Sequence, residues 1–210
     1  MSLNPDLPAE LVGLGVATLH EASGRRGLAF GLRLVVGESF AGPAVTVGLP
    51  AGDNLGIHLA LEAAAPGSVV CVSSGGAGLY GVFGELLQEA ARAGSIAGLV
   101  IDDGVRDTAE LRAPPSIACR GFTALGTVKR RVRQAVGAQV AVGGVLVCPG
   151  DWVVADRDGV FVLPRGGADR IIGASRRRVQ REAEVRTQLQ AGAVSRELFG
   201  LPTEAVPSVS

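Results

Sequence analysis

The chain has 210 residues, 47% of them hydrophobic and 19% charged, which supplies apolar surface for a full core and excludes a disordered or solvating tail protein. Twenty basic side chains balance twenty acidic ones, so no broad cationic face is expected to track a phosphate backbone, and nucleic acid is not an expected partner. No apolar run approaches the ~20 residues of a membrane helix, and the opening MSLNPDLPAE does not read as a signal peptide.

From 8 to 22, Leu11, Val12, Val16 and Leu19 recur at helical spacing, predicting one helix closed by Ser23-Gly24. Residues 44–47 form a short β-rich run ended by Pro50. Asp53 is placed to cap a helix through Glu62 that Pro66-Gly67 stops. Residues 69–72 read as a buried strand, 75–84 as a glycine-rich loop, 85–92 as a helix and 98–101 as the next strand. The two strands of this β-loop-α-β unit are expected to lie parallel. After Asp107, the stretches 116–119, 139–142, 145–147, 152–155 and 160–163 are short strands between Gly, Pro and Asp turns, the pattern of a β-meander or small barrel. A charged helix follows over about 168–189, and the chain from Pro202 is expected to be loose. No linker or repeat divides the sequence. One mixed α/β domain over 1–210 is expected, with its core in 42–164.

Cys71, Cys119 and Cys148 lack CxxC spacing, and Cys71 and Cys148 lie in apolar runs. They read as buried thiols of a reducing compartment, so a cytoplasmic location is expected. His20 and His58 are the two histidines, which excludes zinc sites built on several imidazoles. Lys129 is the single lysine, so any Schiff-base chemistry must rest on it; it sits in TVKRRVR, a solvated basic segment. The arginines 176 to 178 read as a solvated or intersubunit helix face. Tyr80 is placed to line a pocket mouth, and Trp152 to join the core.

Gly76, Gly78 and Gly81 spell GxGxxG between a strand and a helix, with Asp102 ending the next strand. That is the spacing of a dinucleotide fingerprint, and a site for S-adenosylmethionine has a similar outline. The short strands downstream do not supply the repeated βαβ units such a fold needs. In a second reading the amides opening the helix at Gly84-Glu85-Leu86-Leu87 form an anion hole for one carboxylate. In a third, the glycines only make a tight strand-to-helix turn. Arg106 and Asp107 follow the next strand, where α/β proteins place ligands. Arg106 offers a planar fork for a carboxylate or for the two oxygens of a 2-oxo acid, and Asp107 a hard oxygen donor for Mg²⁺ or Mn²⁺. The alternative is a plain surface ion pair.

The blocks GPAVTV (42–47), GDNLGIH (52–58), PGSVVCV (66–72), GELL (84–87), VRDTAEL (105–111) and PGDWVVADRDGVFVLP (149–164) stand in this order. On them the chain resembles the family of regulator of ribonuclease E activity A and the class II 4-hydroxy-4-methyl-2-oxoglutarate/4-carboxy-4-hydroxy-2-oxoadipate aldolases. The resemblance implies a swivelling β/β/α fold, assembled as a trimer or a hexamer with sites between subunits. It implies that Arg106 and Asp107 bind substrate and metal, with Glu110 filling the acidic place three residues on. Gly84, Leu86 and Leu87 would supply substrate-binding amides, and Glu85 would act in catalysis and hold the metal through water. Asn54 and His58 would lie near the substrate, although Asn54 has the alternative of capping a helix and His58 of packing. Glu182, or next to it Glu184, would reach the metal from a neighbouring subunit. One departure stands out: family members carry glycine three residues ahead of the arginine, where this chain has Asp103. The implied activity is a lyase dependent on Mg²⁺ or Mn²⁺ that cleaves 4-hydroxy-2-oxo acids to pyruvate and decarboxylates oxaloacetate. The alternatives are a non-catalytic, protein-binding regulator of ribonuclease E-type RNA processing, and an S-adenosylmethionine- or nucleotide-dependent enzyme.

Overall fold

In the computed structural model, which describes residues 6–76, 78–130 and 135–202, the N-terminal segment is two helices, α1 (Leu7–Leu14) and α2 (Val16–Ala22), where one was expected. Gly15 breaks the run at φ +76°, and the carboxylate of Asp156 accepts the Val16 N–H at 2.7 Å. A distant side chain thus does the work of an N-cap. The chain continues through β1 (Leu28–Ala29), β2 (Arg33–Val36), β3 (Phe40–Gly48), α3 (Leu55–Ala63), β4 (Val69–Ser73), β5 (Gly81–Phe83), α4 (Glu85–Ala93) and β6 (Gly98–Val105). Then come β7 (Ser116–Phe122), β8 (Ala135–Val136), β9 (Val140–Val142), β10 (Val145–Val147), β11 (Trp152–Asp156), β12 (Gly159–Leu163), α5 (Ala168–Gln190) and α6 (Ser195–Leu198).

The main sheet has the order β1-β12-β11-β3-β4-β6-β7-β2, with β5 added on β6 and β8 on β3. β4 and β6 are parallel neighbours, Val69 opposite Gly98 and Ser73 opposite Asp102, as the β-loop-α-β pattern requires. Several elements differ from expectation: β1, β2 and β8 were not anticipated, and β3 and β7 run beyond 44–47 and 116–119. The loop over 75–84 contains β5; β6 runs on to Val105, with Asp102 and Asp103 inside the strand; and β7 is a further parallel neighbour of β6. The antiparallel hairpins of a meander come after it. β9–β10 stand apart as a two-stranded ribbon, while β11–β12 enter the main sheet between β3 and β1.

The first and last strands of the path, β1 and β2, are separated in sequence by Phe30-Gly31-Leu32 alone. Four residue steps span at most about 14 Å, so the sheet has to curl until its two ends meet. Side chains alternate accordingly. Val69 and Cys71 point into the curl with Phe40, Val100 and Val153, whereas Val70 and Val72 meet Ile57, Phe83 and Leu87. Trp152 and Val154 face outward onto Leu11, Leu19, Ile171 and Ile172, which places Trp152 in the core as expected. Beyond Ser175 no residue of α5 is buried; Arg176 and Arg178 still pair with Glu10 of α1 and Glu21 of α2, at 2.6 and 3.8 Å, and the turns after them lie on the surface.

Cys71 and Cys119 are buried, but Cys148 is exposed, contrary to its apolar setting: β10 ends at Val147 and the Pro149-Gly150 turn carries the thiol outward. Among the described residues no helix is long and apolar enough to cross a membrane. Arg131 and Arg133 of the basic segment, and 203–210 of the tail expected to be loose, lie outside the described residues.

Candidate functional site

The end of β6 delivers Arg106 and Asp107 to the carboxyl edge of the parallel strands. Arg106 N–H donates to Phe83 O at 2.9 Å, continuing the β5–β6 pairing. Asp107 then turns into the left-handed region at φ +54°, a conformation aspartate tolerates better than most residues. The N–H groups of Glu110 and Leu111 return to its carbonyl at 3.0 and 3.2 Å, closing a turn that points the Asp107 side chain away from the strand.

Asp107 Oδ2 accepts the Glu85 N–H at 3.3 Å and lies 3.4 Å from Arg106 Nε. A carboxylate is thereby seated at the first turn of α4, where the helix dipole favours negative charge. Gly84 makes the approach possible. Its backbone is extended, so φ does not demand glycine, but a methyl there would fall on Asp107 Oδ2 and 3.1 Å from Arg106 Cγ. Gly84 has no side chain with which to cap α4, and the Asp107 carboxylate serves the Glu85 N–H in its place; Leu87 is buried and Leu86 is exposed. That leaves the Leu86 and Leu87 amides of the first turn to face an anionic guest. Arg106 and Asp107 line an open cleft of about 440 Å³ whose other walls are Val105, Thr108, Phe122, Thr123 and Ala124.

Asn54 is buried and donates through Nδ2 to Val82 O at 3.0 Å, tying the start of α3 to β5 two residues before Gly84. The N-cap position of α3 falls on Asn54, whose side chain makes no cap, and not on Asp53 as expected; from one residue earlier Asp53 Oδ1 still accepts Leu55 N–H at 2.8 Å, and its Oδ2 accepts Arg130 N–H at 2.7 Å. His58 is exposed on α3 and does not line the cleft. Its pKa is lowered from 6.5, first by partial burial and then by the charge of Lys129. Lys129 and Glu110 are exposed. Glu182 pairs with Arg178 at 2.7 Å on the exposed part of α5 and lines a different cleft with Val185, Leu189 and Phe199. Within one chain neither Glu182 nor Glu184 is brought to Arg106 and Asp107.

The strand–loop–helix of a dinucleotide fingerprint is not formed, because β5 stands between Gly78 and α4. Asp102, the residue such a site would use, is committed elsewhere. It pairs with Arg120 and accepts Gly143 N–H at 2.8 Å, latching the β9–β10 turn to the sheet. The cleft walls Phe122 and Thr123 were not picked out from sequence; their place at the carboxyl end of a parallel strand is the signal that would have found them.

Among the described residues no three His, Cys, Asp or Glu side chains converge as a ready metal cage. The cleft offers one exposed carboxylate, Asp107, whose Oδ1 makes no hydrogen bond among the described residues. That donor set fits a hard cation that keeps several waters, Mg²⁺ or Mn²⁺, and not a structural zinc.

The class the fold defines is a single mixed α/β domain with a curled sheet, carrying an arginine–carboxylate pair at a helix start. More particularly, residues 16–162 match the RraA-like family (Aldolase/RraA), and the chain belongs to it. A Halalkalibacterium halodurans protein named "Putative 4-hydroxy-4-methyl-2-oxoglutarate aldolase" is 32% identical over 142 residues, 67% of this chain and 67% of that protein. The crystal structure of Streptomyces coelicolor RraAS2, described as an unusual member of the RNase ES inhibitor RraA protein family, has a TM-score of 0.75 at 30% identity, covering 89% of this chain and 98% of its own. The RNA-processing inhibitor RraA from Thermus thermophilis has a TM-score of 0.64 at 29% identity, covering 71% and 92%.

Proposed function

We propose that this protein is a divalent-metal-dependent carbon–carbon lyase that cleaves 4-hydroxy-2-oxo acids, 4-hydroxy-4-methyl-2-oxoglutarate among them, to pyruvate, and that also decarboxylates oxaloacetate. The observation that carries the reading is the Arg106–Asp107 pair of the cleft, set against Gly84 with the Asp107 carboxylate on the Glu85 N–H that opens α4. Both reactions generate the enolate of pyruvate. Arg106 grips the carboxylate and keto oxygens of a 2-oxo acid and places positive charge where the enolate charge develops. The amides of Leu86 and Leu87 orient the carboxylate. Asp107 would hold Mg²⁺ or Mn²⁺, which when bound supplies a Lewis acid to the keto oxygen. Glu85, on the same first turn, receives the proton of the 4-hydroxyl through water. Decarboxylation needs no such base. Asn54 braces β5 behind Gly84, and His58 stands one helical turn further on.

The active assembly in this reading is a cytoplasmic trimer or hexamer. Leu86, Phe122 and Leu125 are large apolar residues left exposed in and beside the cleft, as a surface covered by another copy requires. Glu182 or Glu184 would complete the site from that copy.

The test is pyruvate release from both substrates with Mg²⁺ and then with chelator. Turnover is expected to depend on the metal, to fall by about 10²–10³-fold in Arg106→Ala and to drop strongly in Asp107→Ala. Undiminished turnover in chelator overturns the reading. The likeness to RraAS2 over 89% of this chain supports a second reading, regulation of an RNA-processing enzyme. Inhibition of ribonuclease E cleavage by a chain that releases no pyruvate from either substrate would establish that reading in place of the first.

A further inference from the structure

We propose that Asp103 is a positioning residue for the Arg106–Asp107 cleft, holding Gly84 and the start of α4 in place through residues 80–83. Asp103 is completely buried within β6. Its Oδ1 accepts two backbone N–H groups at once, Tyr80 at 2.6 Å and Gly104 at 2.8 Å. One carboxylate oxygen thus ties the last residue of the glycine loop to the strand that carries Arg106.

From that tie to the cleft the chain has no slack. Tyr80 O accepts Val82 N–H at 2.8 Å and Gly104 N–H at 3.1 Å. Gly81 pairs with Gly104 and Phe83 with Val105, and Phe83 O accepts Arg106 N–H at 2.9 Å. The next residue is Gly84, with the Asp107 carboxylate against its Cα. The tie is also close-packed, because a methyl at Gly104 would meet Tyr80 O at 2.9 Å and crowd Thr123. Asp103 Oδ2, meanwhile, is buried with no hydrogen-bond partner among the described residues. A carboxylate with one oxygen unsatisfied is an expensive way to fill space, so its presence calls for a role other than packing. The two amides it holds, one on each side of the β5–β6 junction, define that role. The lyase reading enters only through the kinetic arm of the test.

The test compares Asp103→Ala, which removes the acceptor, with Asp103→Asn, whose amide oxygen can still take both N–H groups. Hydrogen exchange is followed on the full chain by mass spectrometry, alongside pyruvate release from oxaloacetate with Mg²⁺. In Asp103→Ala, amides of 80–84 are expected to exchange at least about tenfold faster while β11 and β12 keep their protection. The kcat is expected to fall by at least about tenfold with KM held within about threefold, and Asp103→Asn to restore both readouts. Unchanged exchange over 80–84 in Asp103→Ala overturns the proposal, as does a fall in kcat without local exchange, or an Asn variant that behaves like Ala. Should Asp103→Ala not fold, Asp103→Asn decides: retained protection at 80–84 supports the tie, and its loss in a folded chain refutes it. If the parent chain releases no pyruvate, it is the lyase reading that has failed, and local exchange rescued by Asn still supports the positioning of α4.

Discussion

Replacing Gly84 with alanine separates the geometry of the cleft from the stability of the fold. At φ −152° and ψ −169° the position suits any residue, so the substitution adds no backbone strain. The new methyl would fall on Asp107 Oδ2 and lie 3.1 Å from both Asp107 Cγ and Arg106 Cγ, inside the roughly 3.5–4.0 Å of ordinary contact. Relief is available, because the Asp107 side chain is 41% exposed and can swing into solvent. What is given up is the 3.3 Å bond from Glu85 N–H at the helix start. That loss is on the order of 1 kcal/mol, or about 2–4 °C in Tm for a chain of this size. The carboxylate, however, moves by at least about 1 Å from Arg106 and the α4 amides, and a misplacement of that size lowers turnover about 10²-fold. Thermal unfolding and a coupled pyruvate assay on the same preparation measure the two effects. Activity equal to the parent's, or a stability loss above about 3 kcal/mol, would refute the close approach as the reason for glycine here.

Asp102→Asn is expected to lower stability by about 2 kcal/mol, since it weakens the pair with Arg120 and the bond from Gly143 N–H; Arg120 is 39% exposed, so its charge returns to water and the loss stays below that of a fully buried pair. An unshifted urea midpoint would contradict this. His58, lowered from 6.5 by burial and then by Lys129, binds its proton in the unfolded chain at higher pH than in the folded one. Its contribution is therefore intact above about 6.5 and diminishes as pH falls below that value. Lys129→Gln should move the His58 midpoint upward, and a proton NMR titration of the two histidines would reveal its failure to do so. Burial pushes the Cys71 thiol up to about 12 and the Cys119 thiol up to about 11, while Cys148 is exposed. A thiol reagent at about pH 8 should label Cys148 alone in the native chain and all three cysteines in denaturant.

The central β4–α4–β6 unit was legible because its signals are local: apolar runs bounded by glycine and proline, with a polar helix start between them. Misread boundaries have non-local causes. Apolar spacing runs unbroken through Gly15, and only the Asp156 carboxylate, 140 residues away in sequence, captures the Val16 N–H and splits the helix. Asp102-Asp103-Gly104 has the composition of a turn, yet both carboxylates are buried as acceptors for groups on the β9–β10 turn, β7 and the glycine loop. At the cleft, Arg106, Asp107 and the GELL turn were marked by residue type and by family resemblance. That Gly84 is needed for the nearness of Asp107, and not for a positive φ, is a fact of packing that no local pattern carries. The GDNLGIH block grouped Asn54 with His58; the fold divides them, one buried as a brace on β5 and the other facing solvent beside Lys129.

The strand path begins and finishes on β1 and β2, only two and four residues long. Borders that brief give an incoming polypeptide almost no ladder to knit onto. A second copy of this molecule therefore finds no long border on the main sheet to extend.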